Sequence, residues 1–328
     1  MPDLSDGGPD PGPGPPEAPP KPRRRRRTGR IIALAASSLI VLIVLAMVGF
    51  WLYADHALHR VDAIGDYPSR PAAGAGTNWL IVGSDSRQGL SSTQANQLHT
   101  GTEQAVSGSR TDTIMLLHLP GNDTKPTMVS LLRDSYVAIP GHDKSKINAA
   151  FAIGGRQLLV RTVEANTGLR IDHYAEIGLG GFANVVGDVG GVRMCLDQEV
   201  HDDYAGINLP AGCQTLNGPN ALGYVRSRHA FATSDYARTE HQRQFIGALA
   251  GKIMSPGVLL NPFRSIPTIL DLPKAFTVDH GDGLWDLLTL ARHVRHFSNV
   301  TSTAVPIGGS SGSDLLWDPT KAQELFHD

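Results

Sequence analysis

The feature that most constrains this chain is a run of residues, 31–53, without a single charged side chain. A transmembrane helix needs about 20 consecutive apolar residues, so the run is long enough to cross a bilayer. The alternative is a cleaved signal peptide. The apolar stretch is longer than a signal-peptide core, however, and no small-residue cleavage site with a sharp polar break follows it. We therefore predict an uncleaved transmembrane helix over residues 31–53.

The charges that flank this run indicate its orientation. Five arginines at 23–27 and Arg30 precede it, whereas residues 55–62 mix acidic, basic and histidine side chains. The positive-inside rule then leaves the N-terminus in the cytoplasm. We expect a disordered basic cytoplasmic tail over 1–30, the membrane helix over 31–53, a linker rich in Pro, Ala and Gly over 54–77, and an extracellular domain over 78–328.

The charge balance argues against a nucleic-acid-binding protein. After residue 30 the chain holds 22 Lys and Arg against 27 Asp and Glu. Binding to phosphate backbones needs a basic face, and the arginine run is explained by the adjoining membrane span. We therefore expect no nucleic-acid partner.

Strand and helix patterns alternate along the predicted domain. Two apolar runs, TDTIMLLHL and KPTMVSLL, are separated by PGND and indicate a pair of strands joined by a turn. Residues 147–167 have helical spacing, which Gly154 and Gly155 interrupt and which Gly168 ends. Interleaved strands and helices predict an α/β (α+β) fold. We expect a central mixed, largely antiparallel sheet flanked by helices and preceded by one transmembrane helix.

Charged side chains lie at the ends of two of these apolar strands. An earlier apolar run, NWLIVG, indicates a buried strand that ends at Gly83, and Asp85 and Arg87 follow it. Arg110 and Asp112 stand at the start of the strand TDTIMLLHL. Adjacent antiparallel strands bring such ends to the same edge of a sheet. This edge is therefore expected to carry carboxylates beside guanidinium groups.

More cations end other apolar elements. Arg133 and Asp134 follow the strand VSLL, and Arg226 and Arg228 end an otherwise apolar helix. Charge clusters are commonly solvated surface or ion pairs of little energetic weight. The repeated placement of cations beside apolar segments nevertheless favours a binding site.

The chain has two cysteines, Cys195 and Cys213. An exported domain favours a disulfide between them, and two free buried thiols are the alternative. No CxxC spacing supports a zinc site.

Several motifs together resemble one known family. They are GSDSR, SRTDTIMLLHLP, VSLLRDSYVAIPG, KINAAFAIGG, IDHYAEIGLGGFANVVGDVGGV, LNGPNALGYVRSR and DYARTEHQRQF. In this order they resemble the LytR-CpsA-Psr family of membrane-anchored cell-wall enzymes, from about Asn78 to about Met254. The long loop between GSDSR and RTD, the two cysteines and the segment LPAGCQTLNG are similar to the actinobacterial branch.

The resemblance implies a metal-dependent site for a diphosphate. Asp85 and Asp112 are expected to hold Mg²⁺ (or Mn²⁺). Phosphoryl transfer needs such charges around the phosphate oxygens. The expected catalytic residues are Arg110, Arg133, Asp134, Arg226 and Arg228, and those that bind the diphosphate are Arg87, Lys146, Arg238 and Gln242.

Two positions depart from the family pattern. Leu132 stands where members usually have Pro before the Arg-Asp pair, so the turn that aims Arg133 is expected to differ. His241 replaces an Arg found in many members, which makes binding more sensitive to pH.

A carrier with an isoprenoid tail also needs an apolar groove. We predict that Phe151, Leu159 and Phe182 line it, with ordinary core packing as the alternative for each.

The function implied is transfer of a glycopolymer from a polyprenyl diphosphate carrier to peptidoglycan by a magnesium-dependent phosphotransferase. The donor lipid, the peptidoglycan acceptor and the cell membrane are the expected partners. One alternative is a polyprenyl diphosphate phosphatase that uses water as the acceptor. Another is a non-catalytic wall-binding or regulatory protein.

Overall fold

A computed structural model describes residues 25–86, 98, 111–122, 124–227, 234–294 and 300–327, together with Gly12 and Gly14. The chain divides into two compact units, Met1–Leu52 and Tyr53–Asp328. Most of the tail predicted to be disordered lies outside the described residues.

The first unit contains most of a long apolar helix, α1 (Arg25–His56). Within its segment Gly29–His56, the most apolar window of 18 residues has a mean hydropathy of 3.0 and no buried residues. Large apolar side chains such as Ile31, Leu45 and Leu52 are exposed along it. A long helical segment whose large apolar side chains are exposed suits a lipid environment, which supports the predicted membrane anchor.

The second unit contains short strands and helices in alternation. The strands are β1 (His59–Val61), β2 (Thr77–Ser84), β3 (Thr111–Leu119), β4 (Thr127–Leu131), β5 (Tyr136–Val137), β6 (Ser145–Lys146), β7 (His173–Gly178), β8 (Val192–Leu196), β9 (Val200–Asp202), β10 (Ile207–Leu209), β11 (Gly212–Leu216), β12 (Phe276–Asp279), β13 (Thr301–Ala304), β14 (Ile307–Ser311) and β15 (Asp314–Trp317). The helices after α1 are α2 (Ile147–Thr167), α3 (Leu179–Asp188), α4 (Gly218–Arg226), α5 (Ser234–Ile253), α6 (Pro256–Leu259), α7 (Pro262–Ala275), α8 (Leu284–Val294) and α9 (Pro319–His327).

Seven strands form the central sheet of the described chain, in the order β1-β12-β7-β2-β3-β4-β13. This mixed sheet with flanking helices confirms the predicted fold class. Three of its strand pairs are parallel and three are antiparallel. The sheet is therefore evenly mixed rather than largely antiparallel, because β1, β7 and β13 each pair with a parallel neighbour that is distant in sequence.

Both faces of the sheet are buried, which explains the continuous apolar runs of its central strands. On one face Leu80 and Leu116 pack with α2. On the other, Trp79 and Leu117 pack with residues of α5 and α8. The α2 helix ends at Gly168 in the left-handed conformation and is interrupted at Gly154 and Gly155, as predicted.

The segment expected to be a linker, 54–77, is part of the second unit. Its β1 strand pairs with β12, and the Ala63 and Ile64 N–H groups donate to Asp279 Oδ1 at 2.9 and 2.7 Å. Tyr67 O–H donates to the buried Glu164 at 2.6 Å. These contacts hold the segment on the domain, so its Pro, Ala and Gly content does not mark a free linker.

Two ribbons, β8 with β11 and β9 with β10, form a smaller core against α4 and α5. Cys195 and Cys213 lie opposite each other in the β8–β11 pair and form a disulfide. The predicted pairing of these cysteines is confirmed in the structure.

A buried ion pair gives the fold a testable pH dependence. Asp282 contacts His173 Nδ1 and accepts the Tyr174 N–H at 2.9 Å. Burial lowers the pKa of His173, but the hydrogen bond and charge of Asp282 outweigh it, so the net pKa lies above the ordinary 6.5. A pKa raised by folding stabilises the protein below the unfolded value, and this stabilisation is lost as pH rises through the folded value.

We therefore expect the free energy of unfolding to fall as pH rises above 6.5, measured by urea unfolding. The substitution His173→Gln should flatten this dependence. The control His142→Gln, at an exposed histidine, should keep the wild-type profile. Equal slopes for wild type and His173→Gln would contradict the assignment.

The disulfide should contribute to stability through the loop it closes. Its sulfurs join residues 18 positions apart, for which loop-closure entropy predicts about 3 kcal/mol. The double substitution Cys195→Ser with Cys213→Ser should lower the free energy of unfolding by about that amount. A reductant should remove the difference from wild type, and equal stabilities without reductant would disprove the contribution.

Candidate functional site

Two aspartates lie where two central strands end. After a bulge at Gly83, Ser84 pairs with Thr111, and the Thr111 hydroxyl donates to Gly83 O at 3.0 Å. Asp85 follows β2 and Asp112 is the second residue of β3, and both line one groove. The strand ends meet as the sequence indicated, while the metal-binding role of the two carboxylates stays a prediction.

The groove has a volume of about 740 Å³ including its open mouth. Ile81 of β2, Phe182 of α3 and Ile246 of α5 form apolar walls. Its full lining is Ile81, Val82, Gly83, Ser84, Asp85, Asp112, Thr113, Ile177, Gly178, Leu179, Phe182, Leu222, Val225, Arg226, Gln242 and Ile246. A groove lined by apolar side chains and a few charged groups suits an amphiphilic ligand.

A chain of ion pairs begins at Asp112. Arg133 Nη1 donates to Asp112 Oδ1 at 2.6 Å, and its Nε donates to Asp134 Oδ2 at 3.3 Å. Lys146 Nζ donates to Asp134 Oδ1 at 2.8 Å. Predicted catalytic and diphosphate-binding residues from three separate segments are therefore joined in one network.

The network fixes the charge of Asp134. Burial alone raises the pKa of this carboxyl, but the Lys146 hydrogen bond and the Arg133 charge outweigh it, so the net pKa lies below the ordinary 3.8. An ionised carboxylate held by two cations is a poor proton acceptor near neutral pH. Asp134 is thus suited to positioning Arg133 and Lys146.

Backbone contacts hold the loop that carries Arg133. The Ser135 N–H donates to Leu132 O at 2.9 Å, so a turn forms here with Leu in place of Pro. The first N–H groups of α2, from Ile147 and Asn148, donate to Ser135 O and Arg133 O at 2.8 and 3.3 Å. The N–H groups at a helix N-terminus lack acceptors within the helix. These two bonds provide acceptors for them and also hold the loop in place.

Arg226 and Gln242 enter the groove from two helices. Arg226 lies in the last turn of α4, where its predecessors Leu222 and Tyr224 are buried. Gln242 of α5 is 7% exposed, and its Nε2 donates to Val225 O at 2.9 Å. Gln242 therefore ties α5 to the end of α4 and holds the segment that carries Arg226.

The C-terminal hairpin supplies contacts that the sequence did not indicate. Asp314 Oδ1 lies 3.9 Å from Lys146 Nζ, and the Leu315 N–H donates to Asp134 O at 2.9 Å. No motif marked these residues, because their partners lie far away in the chain. A bridge between Ser135 and Leu315 brings the hairpin of β14 and β15 to the site.

Some predicted residues lie outside the described part of the chain. Arg87, Arg110 and Arg228 belong to segments that the structure does not describe. Arg238 lies within α5, but its side chain is outside the described set. The roles of these four arginines, and of His241 near them, stay predictions.

Of the three residues predicted to line a lipid groove, one lies at the groove described above, and its role in lipid binding stays a prediction. Phe182 lines the groove, whereas Phe151 and Leu159 do not. They are 5% and 0% exposed and pack with Leu80 and Leu116, on the face of the sheet that α2 covers. Because α2 lies on that face, both are core residues rather than groove residues.

The carboxylates fit one way of binding magnesium. Mg²⁺ commonly takes one or two protein carboxylates and fills its other positions with water and substrate phosphates. Asp85 and Asp112 provide such a pair at the groove, with cations close by. Within the described residues no group of three or more His, Cys, Asp or Glu could form an all-protein metal site. The donor set therefore fits a magnesium ion that arrives with a phosphorylated ligand.

Comparisons with known proteins agree with this architecture. The chain is 47% identical over 303 residues to "Probable cell wall biosynthesis protein LcpB" of Corynebacterium glutamicum, covering 91% of this chain and 70% of that protein. It is 36% identical over 178 residues to "Polyisoprenyl-teichoic acid--peptidoglycan teichoic acid transferase TagU" of Enterococcus faecalis, covering 54% and 58%.

A solved structure shares the fold. The "LytR-Csp2A-Psr enzyme from Actinomyces oris" superposes with a TM-score of 0.62 at 24% identity, covering 82% of this chain and 94% of that one. The family model LytR_cpsA_psr matches residues 59–324, a span that includes β1 and the C-terminal hairpin. The chain therefore belongs to the LytR-CpsA-Psr family.

Proposed function

We propose that this chain is a membrane-anchored transferase that moves a glycopolymer from a polyprenyl diphosphate carrier to peptidoglycan. The observation that carries the proposal is one groove whose lining combines apolar side chains with the charged groups of Asp85, Asp112 and Arg226. The apolar lining suits an isoprenoid tail, and the charged groups suit a diphosphate with its metal ion. The related proteins LcpB and TagU, named for cell-wall biosynthesis and teichoic acid transfer, support the cell-wall setting.

The reaction is a phosphoryl-group substitution. A hydroxyl oxygen of peptidoglycan attacks the phosphorus that bears the glycopolymer and forms the new P–O bond. The bond from that phosphorus to the bridging oxygen breaks, so polyprenyl phosphate leaves with the bonding electron pair. The hydroxyl proton passes to solvent or to a basic group. The product is a phosphodiester between the two polymers.

The described side chains supply charge and position for this step. Arg133 is oriented by carboxylates on two sides, and Lys146 by Asp134. Preorganised cations lower the barrier by stabilising charge that develops on the phosphoryl and leaving oxygens. A magnesium ion held by Asp85 and Asp112 would add further neutralisation of the diphosphate. Arg226, in the last turn of α4, adds a third cation, which lines the groove itself.

The membrane topology belongs to the same proposal. We infer that the arginine-rich tail stays in the cytoplasm and that the second unit lies outside. The positive-inside rule supports this orientation. The disulfide Cys195–Cys213 supports it too, because such bonds persist in oxidising compartments.

Loss of either groove carboxylate should abolish transfer. Full-length protein in lipid nanodiscs is incubated with a lipid-linked diphosphate oligosaccharide, Mg²⁺ and a peptidoglycan acceptor, and the phosphodiester product is measured by mass spectrometry. Asp85→Ala and Asp112→Ala should each lower the rate roughly 100-fold or more. The matched control Asp203→Ala removes a carboxylate whose side chain is 88% exposed and should leave the rate unchanged.

The same assay separates the alternatives. Release of the glycopolymer phosphate without acceptor-linked product would favour the phosphatase. Absence of turnover, with lipid binding that is insensitive to magnesium and to both substitutions, would favour a binding protein.

The groove should select for the length of the lipid tail. Phe182→Ala removes an apolar wall without changing a charge, so it should raise KM for a long-chain donor several-fold. A donor with a very short prenyl chain, which cannot reach Phe182, serves as the matched control and should show little change. An equal effect on both donors would indicate a general packing defect instead.

A further inference from the structure

Helix α7 turns its apolar side chains outward. Phe263 and Ile266, one helical turn apart, are 89% and 56% exposed. The adjoining α6 segment adds Leu259 and Leu260, which are 50% and 83% exposed. A group of large exposed apolar side chains this size marks an interaction surface in many proteins.

The inward side of α7 holds polar as well as apolar groups. The Arg264 guanidinium packs so closely on Gly190 that a Cβ there would lie 2.7 Å from its central carbon. Thr268 and Pro273 are the buried residues of the helix. An amphipathic helix on a soluble domain normally buries its largest apolar side chains. The outward placement of Phe263 and Ile266 therefore indicates that this face meets an apolar phase.

This face lies beside residues that follow the apolar run of α1. The first N–H of α8, from Leu284, donates to Asp55 Oδ1 at 2.9 Å. Lys274, in the last turn of α7, lies near the Tyr53 side chain. Tyr53 stands two positions before Asp55, the first charged residue after the apolar run, and aromatic residues at such positions commonly lie at the membrane–water interface. These contacts place α7 and α8 beside Tyr53 and Asp55, the residues at which the chain would leave the bilayer.

Helix α8 also exposes large apolar side chains. Trp285, next to Leu284, is 69% exposed, and Leu288 one turn later is 41% exposed. Tryptophan is enriched at membrane interfaces because its ring suits the boundary between headgroups and acyl chains.

We propose that these residues form a membrane-docking face, which holds the domain against the outer surface of the bilayer. The occupant of the face is lipid, and the argument rests on its continuity with the residues at the end of α1. Interfacial binding of this kind scales with buried apolar area. The docking face consists of Leu259, Leu260, Phe263, Ile266, Trp285 and Leu288.

Docking would also bring the groove close to its lipid donor. Gly181 of α3 packs so tightly on α7 that a Cβ there would lie 2.9 Å from Ala275 O. Its neighbour Phe182 lines the groove. Helix α3 thus lies between α7 and the groove. A carrier drawn from the bilayer would have only this helix to cross before it reaches the groove. This consequence rests on the proposed reaction, whereas the docking rests only on the proposed membrane anchor and its orientation.

The test measures depth in the bilayer on the full chain. Both native cysteines are in the disulfide, so Phe263→Cys provides one thiol for an environment-sensitive fluorophore. The protein is reconstituted into vesicles of phosphatidylcholine and phosphatidylglycerol with doxyl-labelled lipid as quencher. Tyr204→Cys, at a side chain that is 80% exposed on the β9–β10 loop, is the matched control. Ile266→Cys repeats the measurement at a second site.

We expect doxyl lipid to quench the labels at 263 and 266 several-fold more than the label at 204. Aqueous iodide should show the reverse order. Equal lipid quenching at all three positions would overturn the proposal. Protection at 263 from both quenchers would also overturn it, because a second copy of the chain would then cover the face. The measurement needs no turnover, so its result is independent of the proposed reaction.

Discussion

The pairing of β2 with β3 is the constraint on which the rest of the structure depends. Side chains alternate between the two faces of a strand, so a slip of one residue exchanges the faces. Here Trp79 and Leu80 pack into different cores, and a slip would put each into a space shaped for the other. The same register sets Asp112 near the residue that follows β2. Core packing on both faces of the sheet therefore fixes the geometry of its polar edge.

The ion-pair network has a cost as well as a use. Arg133 and Lys146 have partly buried side chains, and removal of such groups from water is unfavourable unless carboxylates accompany them. Asp134 meets that need for both cations. A ligand with two phosphates could then find guanidinium and ammonium groups already oriented, so less conformational entropy would be lost on binding.

Sequence patterns predicted the elements better than the contacts between them. The run 111–119 was recognisable as a buried strand, and Gly168 as the end of α2, because each signal is local. Phe151 and Phe182 are equally apolar in equally short motifs, yet they lie in different places. Chain topology decides which face of the sheet a helix covers, and hydrophobic periodicity in the sequence carries no information about topology.

Long-range partners explain the other differences between expectation and structure. The β1 strand has three residues and owes its place to β12 and Asp279, more than 200 positions later. Asp314 gave no signal for the same reason. At the charged edge, by contrast, the order of residue types was informative, because a carboxylate or guanidinium directly after an apolar strand must lie at the end of that strand.

The hairpin of β14 and β15 bears on the order in which the protein folds. The loop that carries Arg133 is completed by a hydrogen bond from Leu315 to Asp134, and Leu315 is synthesised long after that loop. The loop therefore lacks this support until the hairpin has been made and has packed against it. The charged edge thus gains its final form later than β2 and β3, the strands at whose ends it lies.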